Sequence, residues 1–239
     1  TAFDAIFERH LDNGVEFISK DGIWIDPEVT IAPGVLILPG TILRGATVIG
    51  AGSTIGPDSL LEDVRVGENV TFNASQGRCC EIGDRATIGP WVQLRPDSVI
   101  GKNVHIGDFV EIKNSTIGEG TAVAHLTYIG DADVGKYCNF GCGVVVVNYD
   151  GEVKSRTKIG DHCFVGCNTN LVAPVRLGDG AYTAAGSTIT DDLPAGALGI
   201  ARARQVTKAG WAENKLSAYI EKKTLLAQAA AEQQANNGK

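Results

Sequence analysis

Isoleucine, leucine or valine returns every sixth residue along most of this chain. The first run is Ile25, Ile31, Ile37, Leu43, Ile49, Ile55 and Leu61; the second is Ile82, Ile88, Leu94, Ile100, Ile106 and Ile112. Shorter runs follow: Ile117, Val123, Ile129, then Val134, Phe140, Val146, then Ile159, Val165, Leu171, Leu177. Four places after many of these aliphatics sits a small or β-branched residue, such as Val35, Thr41, Thr47, Ser53 and Ser98. Glycine often follows the aliphatic directly. Such a period fits neither an amphipathic helix, near 3.6, nor plain strand alternation at two. It predicts a parallel β-helix in which each hexad is one short strand plus a corner. Three hexads, about 18 residues, close one triangular coil. No coil buries its apolar face alone, so the coils must stack. From Ile25 to Ile189 there is room for about nine.

The two ends read differently. Phe3, Ile6, Phe7 and Leu11 fall on one helical face that Asn13-Gly14 terminates. Residues 213–232 carry a sparse apolar stripe, Leu216, Tyr219, Ile220 and Leu226, and predict a second helix. Residues 236–239 are expected to fray. The division is therefore 1–20, a helical lead-in; 21–200, the β-helix; and 201–239, an arm and helix.

Stacking turns register into proximity. Residues at equal hexad offset in successive coils form columns about 4.8 Å apart. Leu94 then stacks on Ile112, which brings Arg95 and Lys113 together. Two cations so placed repel unless an anion lies between them, and a phosphate is the natural ligand. The second residue after the aliphatic gives another column: His125, Cys142, Cys167 and Ala185. It is a small-residue floor with an imidazole at one end. The rhythm breaks between Val146 and Ile159, which predicts an extruded loop over 147–158 containing Lys154, Arg156 and Lys158. Loops on a rigid scaffold often carry binding residues, and a basic one suggests an anionic ligand. A second break, between Phe72 and Ile82, holds Cys79-Cys80 and has no evident chemical logic.

Composition narrows the function. A formal net charge of −7 argues against nucleic acid as the main partner. No apolar run reaches the 18 residues of a membrane span. Of the six cysteines, Cys138 and Cys163 fall on the small inward position and predict buried free thiols, which suit a reducing cytoplasm.

The segments Leu94-Arg95-Pro96, Phe109-Val110-Glu111-Ile112-Lys113-Asn114, Ala124-His125-Leu126-Thr127-Tyr128-Ile129-Gly130-Asp131-Ala132, Val147-Asn148-Tyr149-Asp150-Gly151 and Leu171-Val172-Ala173-Pro174 have a clear likeness. With Ala184-Ala185-Gly186-Ser187-Thr188-Ile189-Thr190, Ala201-Arg202 and Gly210-Trp211, they resemble the acetyltransferase half of the bacterial bifunctional N-acetylglucosamine-1-phosphate uridyltransferase/glucosamine-1-phosphate acetyltransferases. The likeness spans about residues 85–211. It implies a left-handed β-helix, acetyl-CoA as donor without a metal, the amine of glucosamine 1-phosphate as acceptor, and a cytoplasmic homotrimer with clefts between subunits. By the same resemblance His125 is the general base, Arg95 and Lys113 hold the phosphate, and Tyr128, Asn139 and Lys154 serve the acceptor. Cys142, Asn148, Tyr149, Cys167, Ala185 and Arg202 contact acetyl-CoA, with Cys142 and Cys167 standing where alanine and serine are common. Nothing corresponds to the family's uridyltransferase half, and residues 1–13 resemble the end of the helix that joins the halves. Three alternatives stay open: an acetyltransferase for another amino sugar or sugar nucleotide, a β-helical zinc carbonic anhydrase, and a structural module.

Overall fold

A computed structural model describes residues 2–237. The chain separates into two compact units, one ending at Arg202 and the other beginning at Ala203. The first holds helix α1 (Ala2–Asp12) and a solenoid of three parallel sheets with 11, 10 and 9 strands, about ten left-handed turns. The nine turns expected from periodicity fall short because the rhythm is lost at both ends. Glu16–Phe17 pairs with Leu36–Ile37 below the first clear hexad, and Leu198–Gly199 pairs with Tyr182–Thr183 above the last. The second unit contains helix α2 (Glu213–Asn237), whose Leu216, Tyr219, Ile220, Leu225 and Leu226 are exposed. Both helices match expectation in kind; of the expected frayed end, Gly238 and Lys239 lie outside the described residues.

Strands only two to four residues long suffice because every hexad aliphatic points inward. In the second sheet Ile25, Leu43, Leu61, Leu94, Ile112, Ile129, Val146, Leu171 and Ile189 form one column, all at most 3% exposed. Burying each such side chain contributes roughly 1.5–3 kcal/mol. The small position at each corner is also chosen for chemistry. Ser53 Oγ accepts the Val70 amide at 3.0 Å and donates to the Gly67 carbonyl at 3.0 Å. Thr121 does the same with Cys138 N and Gly135 O. A buried hydroxyl is tolerated there because it stitches one coil to the next. Cys138 and Cys163 take this place as buried free thiols, with Cys138 Sγ 3.1 Å from the Gly160 carbonyl.

The break near Cys79-Cys80 has a packing explanation. Gly77 occupies the inward position between Leu61 and Leu94. The space its missing side chain leaves is bordered by Leu61, Val64 and the Cys80 sulfur. Cys80 is 4% exposed, and burial pushes its thiol up to about 12. It is core filler, while its neighbour Cys79 is exposed at a corner with φ 44°.

Candidate active site

The site grows from two features of one stretch of solenoid. The first is a corner column. Register runs Ile106–Val123–Phe140–Val165–Thr183, so the residues two further on, Asp108, His125, Cys142, Cys167 and Ala185, stack in line. Gly107 lets the coils close here, since a Cβ on it would lie 2.0 Å from the Ala124 carbonyl oxygen. His125 is exposed, and its Nδ1 is 2.8 Å from Asp108 Oδ1. The imidazole beside Asp108 holds that carboxyl below the usual aspartate range. The pairing favours the tautomer with the proton on Nδ1, which turns Nε2 into an acceptor. Cys142 is half-buried, Cys167 and Ala185 are exposed, and Arg202 Cδ passes over Gly186, beside Ala185.

The second feature is a cationic corner held by a buried acid. Leu94 and Ile112 are paired as expected, so Arg95 and Lys113 follow on adjacent coils. Arg95 is bound to Glu111 at 2.8 Å, which raises its pKa. Lys113 is held below the ordinary lysine value, first by the Lys154 side chain beside it, then by burial and by Arg95. Asp131 opposes this with Oδ2 4.0 Å from Lys113 Nζ. Asp131 is 7% exposed and accepts hydrogen bonds from the Asn114 and Asn148 side-chain amides. Burial raises its carboxyl, but those two amides together with Lys113 and Lys154 outweigh burial and leave it below the usual range.

The extruded segment is shorter and better anchored than 147–158. Val147 remains in a strand, Thr157 begins the next, and Tyr149 and Lys154 bridge antiparallel between them. Asn148 is buried against Asp131. The three basic side chains of this loop diverge. Lys154 turns to Lys113, Arg156 is consumed by Asp133 and the Asn114 and Ala132 carbonyls, and Lys158 stands on the third sheet. Tyr149 is exposed, its hydroxyl donating to the Gly151 carbonyl.

Arg95, Lys113, Tyr128 and Lys154 are thus gathered around the second sheet. Tyr128 and Glu111 line a cleft of ≈ 400 Å³ walled by Trp91, Phe109 and Leu126. Asn139 lies apart, exposed on the first sheet between Ala122 and Phe164. Two residues escaped the sequence reading. Asp108 was within reach of it, since the ruler that lines up His125 with Cys142 extends one coil downward to Asp108. Asp131 was within reach by the same count, since Asn114, Asp131 and Asn148 each stand two places after a stacked aliphatic, Ile112, Ile129 and Val146, and follow one another at intervals of 17 residues. Each remaining histidine is engaged elsewhere: His10 is buried in the last turn of α1, His105 binds Thr87, and His162 stacks on Tyr137. Among the described residues no three His, Cys, Asp or Glu side chains gather as a metal site, so the zinc alternative finds no support.

Comparison with known proteins agrees with the solenoid fold. The bacterial transferase hexapeptide (six repeats) model matches residues 79–114 and 156–191. The bifunctional protein GlmU of Clostridium acetobutylicum is 53% identical over 210 residues, 88% of this chain and 46% of that protein. That of Clostridium perfringens is 55% identical over the same length and shares. The chain belongs to the hexapeptide-repeat GlmU family. It spans about half the length of these GlmU relatives, the part that corresponds to the acetyltransferase domain. A UDP-N-acetylglucosamine acyltransferase from Francisella novicida shares the fold, with a TM-score of 0.54 and 19% identity over 77% of this chain and 66% of that one. No helix among the described residues is long and apolar enough to cross a membrane.

Proposed function

We propose that this chain transfers the acetyl group of acetyl-CoA to the amine of glucosamine 1-phosphate. The observation that carries the reading is the His125–Asp108 pair, set at the end of a small-residue column whose coils also carry Lys113 and Tyr128. An alkylammonium cannot attack a thioester until it loses a proton. His125 Nε2 takes that proton while Asp108 steadies the imidazolium at Nδ1. The nitrogen then forms its bond to the acetyl carbon and sheds a second proton as the carbon–sulfur bond breaks; of the two protons one passes to the leaving CoA thiolate and the other to water. Holding amine and thioester together supplies much of the remaining acceleration.

Arg95, Lys113 and Lys154 match a phosphate in charge, with Arg95 and Lys113 on adjacent coils and Lys154 beside Lys113. Their mutual repulsion, visible in the lowered Lys113 pKa, is relieved when a dianion sits among them. Tyr128 faces the sugar. The donor runs along Cys142, Cys167 and Ala185 toward Arg202, with Asn148 and Tyr149 at the reacting end. Asn139 stands on the first sheet beside the strand of His125, and we assign it to an acceptor held in a cleft between two subunits. Forming that cleft is the role we assign to a homotrimer. Steady-state kinetics with glucosamine 1-phosphate, glucosamine 6-phosphate and a UDP-linked amino sugar test the reading. The highest kcat/KM is expected for the 1-phosphate, and preference for either of the others overturns the acceptor assignment.

A further inference from the structure

The corner column contains more than a base and its orienting acid. Asp108, His125 and Cys142 occupy three successive coils in unbroken register. The first two are joined at 2.8 Å through Nδ1, and the third carries a free thiol. Hydrogen bonds on both sides of the thiol hold its coil: Gly143 N donates to the Leu126 carbonyl at 3.1 Å, and Asn168 N to the Cys142 carbonyl at 2.8 Å. Gly141 and Gly143 flank Cys142 and carry no side chains to cover it. An acid, an imidazole and a nucleophile in order, with the imidazole oriented by the acid, is the arrangement that activates a thiol for acyl transfer. Cys142 is one coil, about 4.8 Å along the stack, from His125; Cys167 is two coils away, roughly twice that.

We propose that Cys142 is itself an acetyl acceptor, and that the protein forms an S-acetyl-cysteine when no amine is bound. This rests on the donor placement described above. His125 removes the Cys142 thiol proton, and the sulfur forms a bond to the acetyl carbon. The bond from that carbon to the CoA sulfur breaks, and the proton moves from the imidazole to the CoA thiolate. One thioester replaces another, so no oxidant, reductant or further energy source is required. In the reverse direction the acetyl group returns to CoA, which adds an acetyl-CoA/CoA exchange activity that needs no sugar.

The test is to incubate the wild-type protein with acetyl-CoA alone and measure its intact mass. The expected result is one added acetyl group that maps to Cys142, is released by hydroxylamine at neutral pH, and accompanies transfer of label from free CoA into acetyl-CoA. Cys142→Ala should lose both label and exchange, and His125→Ala should slow labelling by at least tenfold. An unlabelled wild-type protein, an acetyl group on Cys167 or on a lysine, or exchange that persists in Cys142→Ala overturns the proposal. Acetyl transfer to glucosamine 1-phosphate, assayed on the same wild-type preparation, separates the two readings. Transfer without an acetyl-thiol removes only the acetyl-cysteine, whereas absence of both removes the donor site on which it rests.

Discussion

Replacing Asp131 with asparagine keeps the size of the side chain and removes one charge. In the native protein Oδ1 accepts from Asn114 and Oδ2 from Asn148, with Lys113 Nζ 4.0 Å from Oδ2. An amide offers one acceptor and one donor, so one of the two asparagine amides must meet an NH2 group instead of an oxygen. Leaving such a donor unpaired in a buried place costs about 1–3 kcal/mol. The lost attraction to Lys113 is nominally larger, about 4 kcal/mol at 4 Å with an effective dielectric of about 20. Most of that is offset because burying the charges was costly in the first place. The unpaired amide therefore sets the scale. For a domain of this size each kcal/mol shifts Tm by about 2–4 °C, so thermal unfolding should show a loss of several degrees. Asn148 and Lys113 lose their common anchor, so the KM for glucosamine 1-phosphate should rise while that for acetyl-CoA moves less. The Asp131 carboxyl is depressed in the folded state, so its contribution is present above the usual aspartate range and is lost as pH falls through its folded pKa. The Tm gap between wild type and Asp131→Asn should accordingly narrow at acid pH. An unchanged Tm and an unchanged acceptor KM at neutral pH would refute the reasoning.

Two further outcomes are expected. Lys113 titrates below ordinary lysine, so its charge is lost early as pH rises; the KM for the phosphorylated acceptor should climb in the alkaline range. Lys113→Arg should flatten that climb, and identical KM–pH profiles for the two proteins would count against the cationic corner. Asp108→Ala removes the partner of His125 Nδ1 and should lower kcat about tenfold, a fraction of the general-base contribution of about 10²–10⁴. Both groups are partly exposed, so water can replace part of the contact; unaltered kcat would show that the pairing is incidental.

The hexad rhythm was a good guide to whatever the solenoid repeats. Interior columns, the Arg95–Lys113 adjacency and the alignment of His125 with Cys142, Cys167 and Ala185 all follow from counting residues, because one coil fixes the position of the next. The count failed where an element has no copy of itself. Phe17 and Gly199 extend the stack without the rhythm, so about ten turns replaced nine. Gly77 interrupts it, and only the packed neighbours show that Cys80 fills the gap. The loop after Val147 was visible as an interruption, but its anchoring through Asn148 and Asp131 was not, nor was the diversion of Arg156 to Asp133. Asn148 and Asp131 lie 17 residues apart, one coil, so their alignment was countable although their hydrogen bond was not; Arg156 and Asp133, 23 apart, follow no such count.

The central claim is that the imidazole at the end of the column is the base for acetyl transfer. The direct measurement is turnover of His125→Ala with acetyl-CoA and glucosamine 1-phosphate, beside the affinity of the same variant for CoA. The account predicts a loss of turnover of about 10²-fold or more with CoA affinity little changed. Turnover equal to that of the wild-type protein would contradict it.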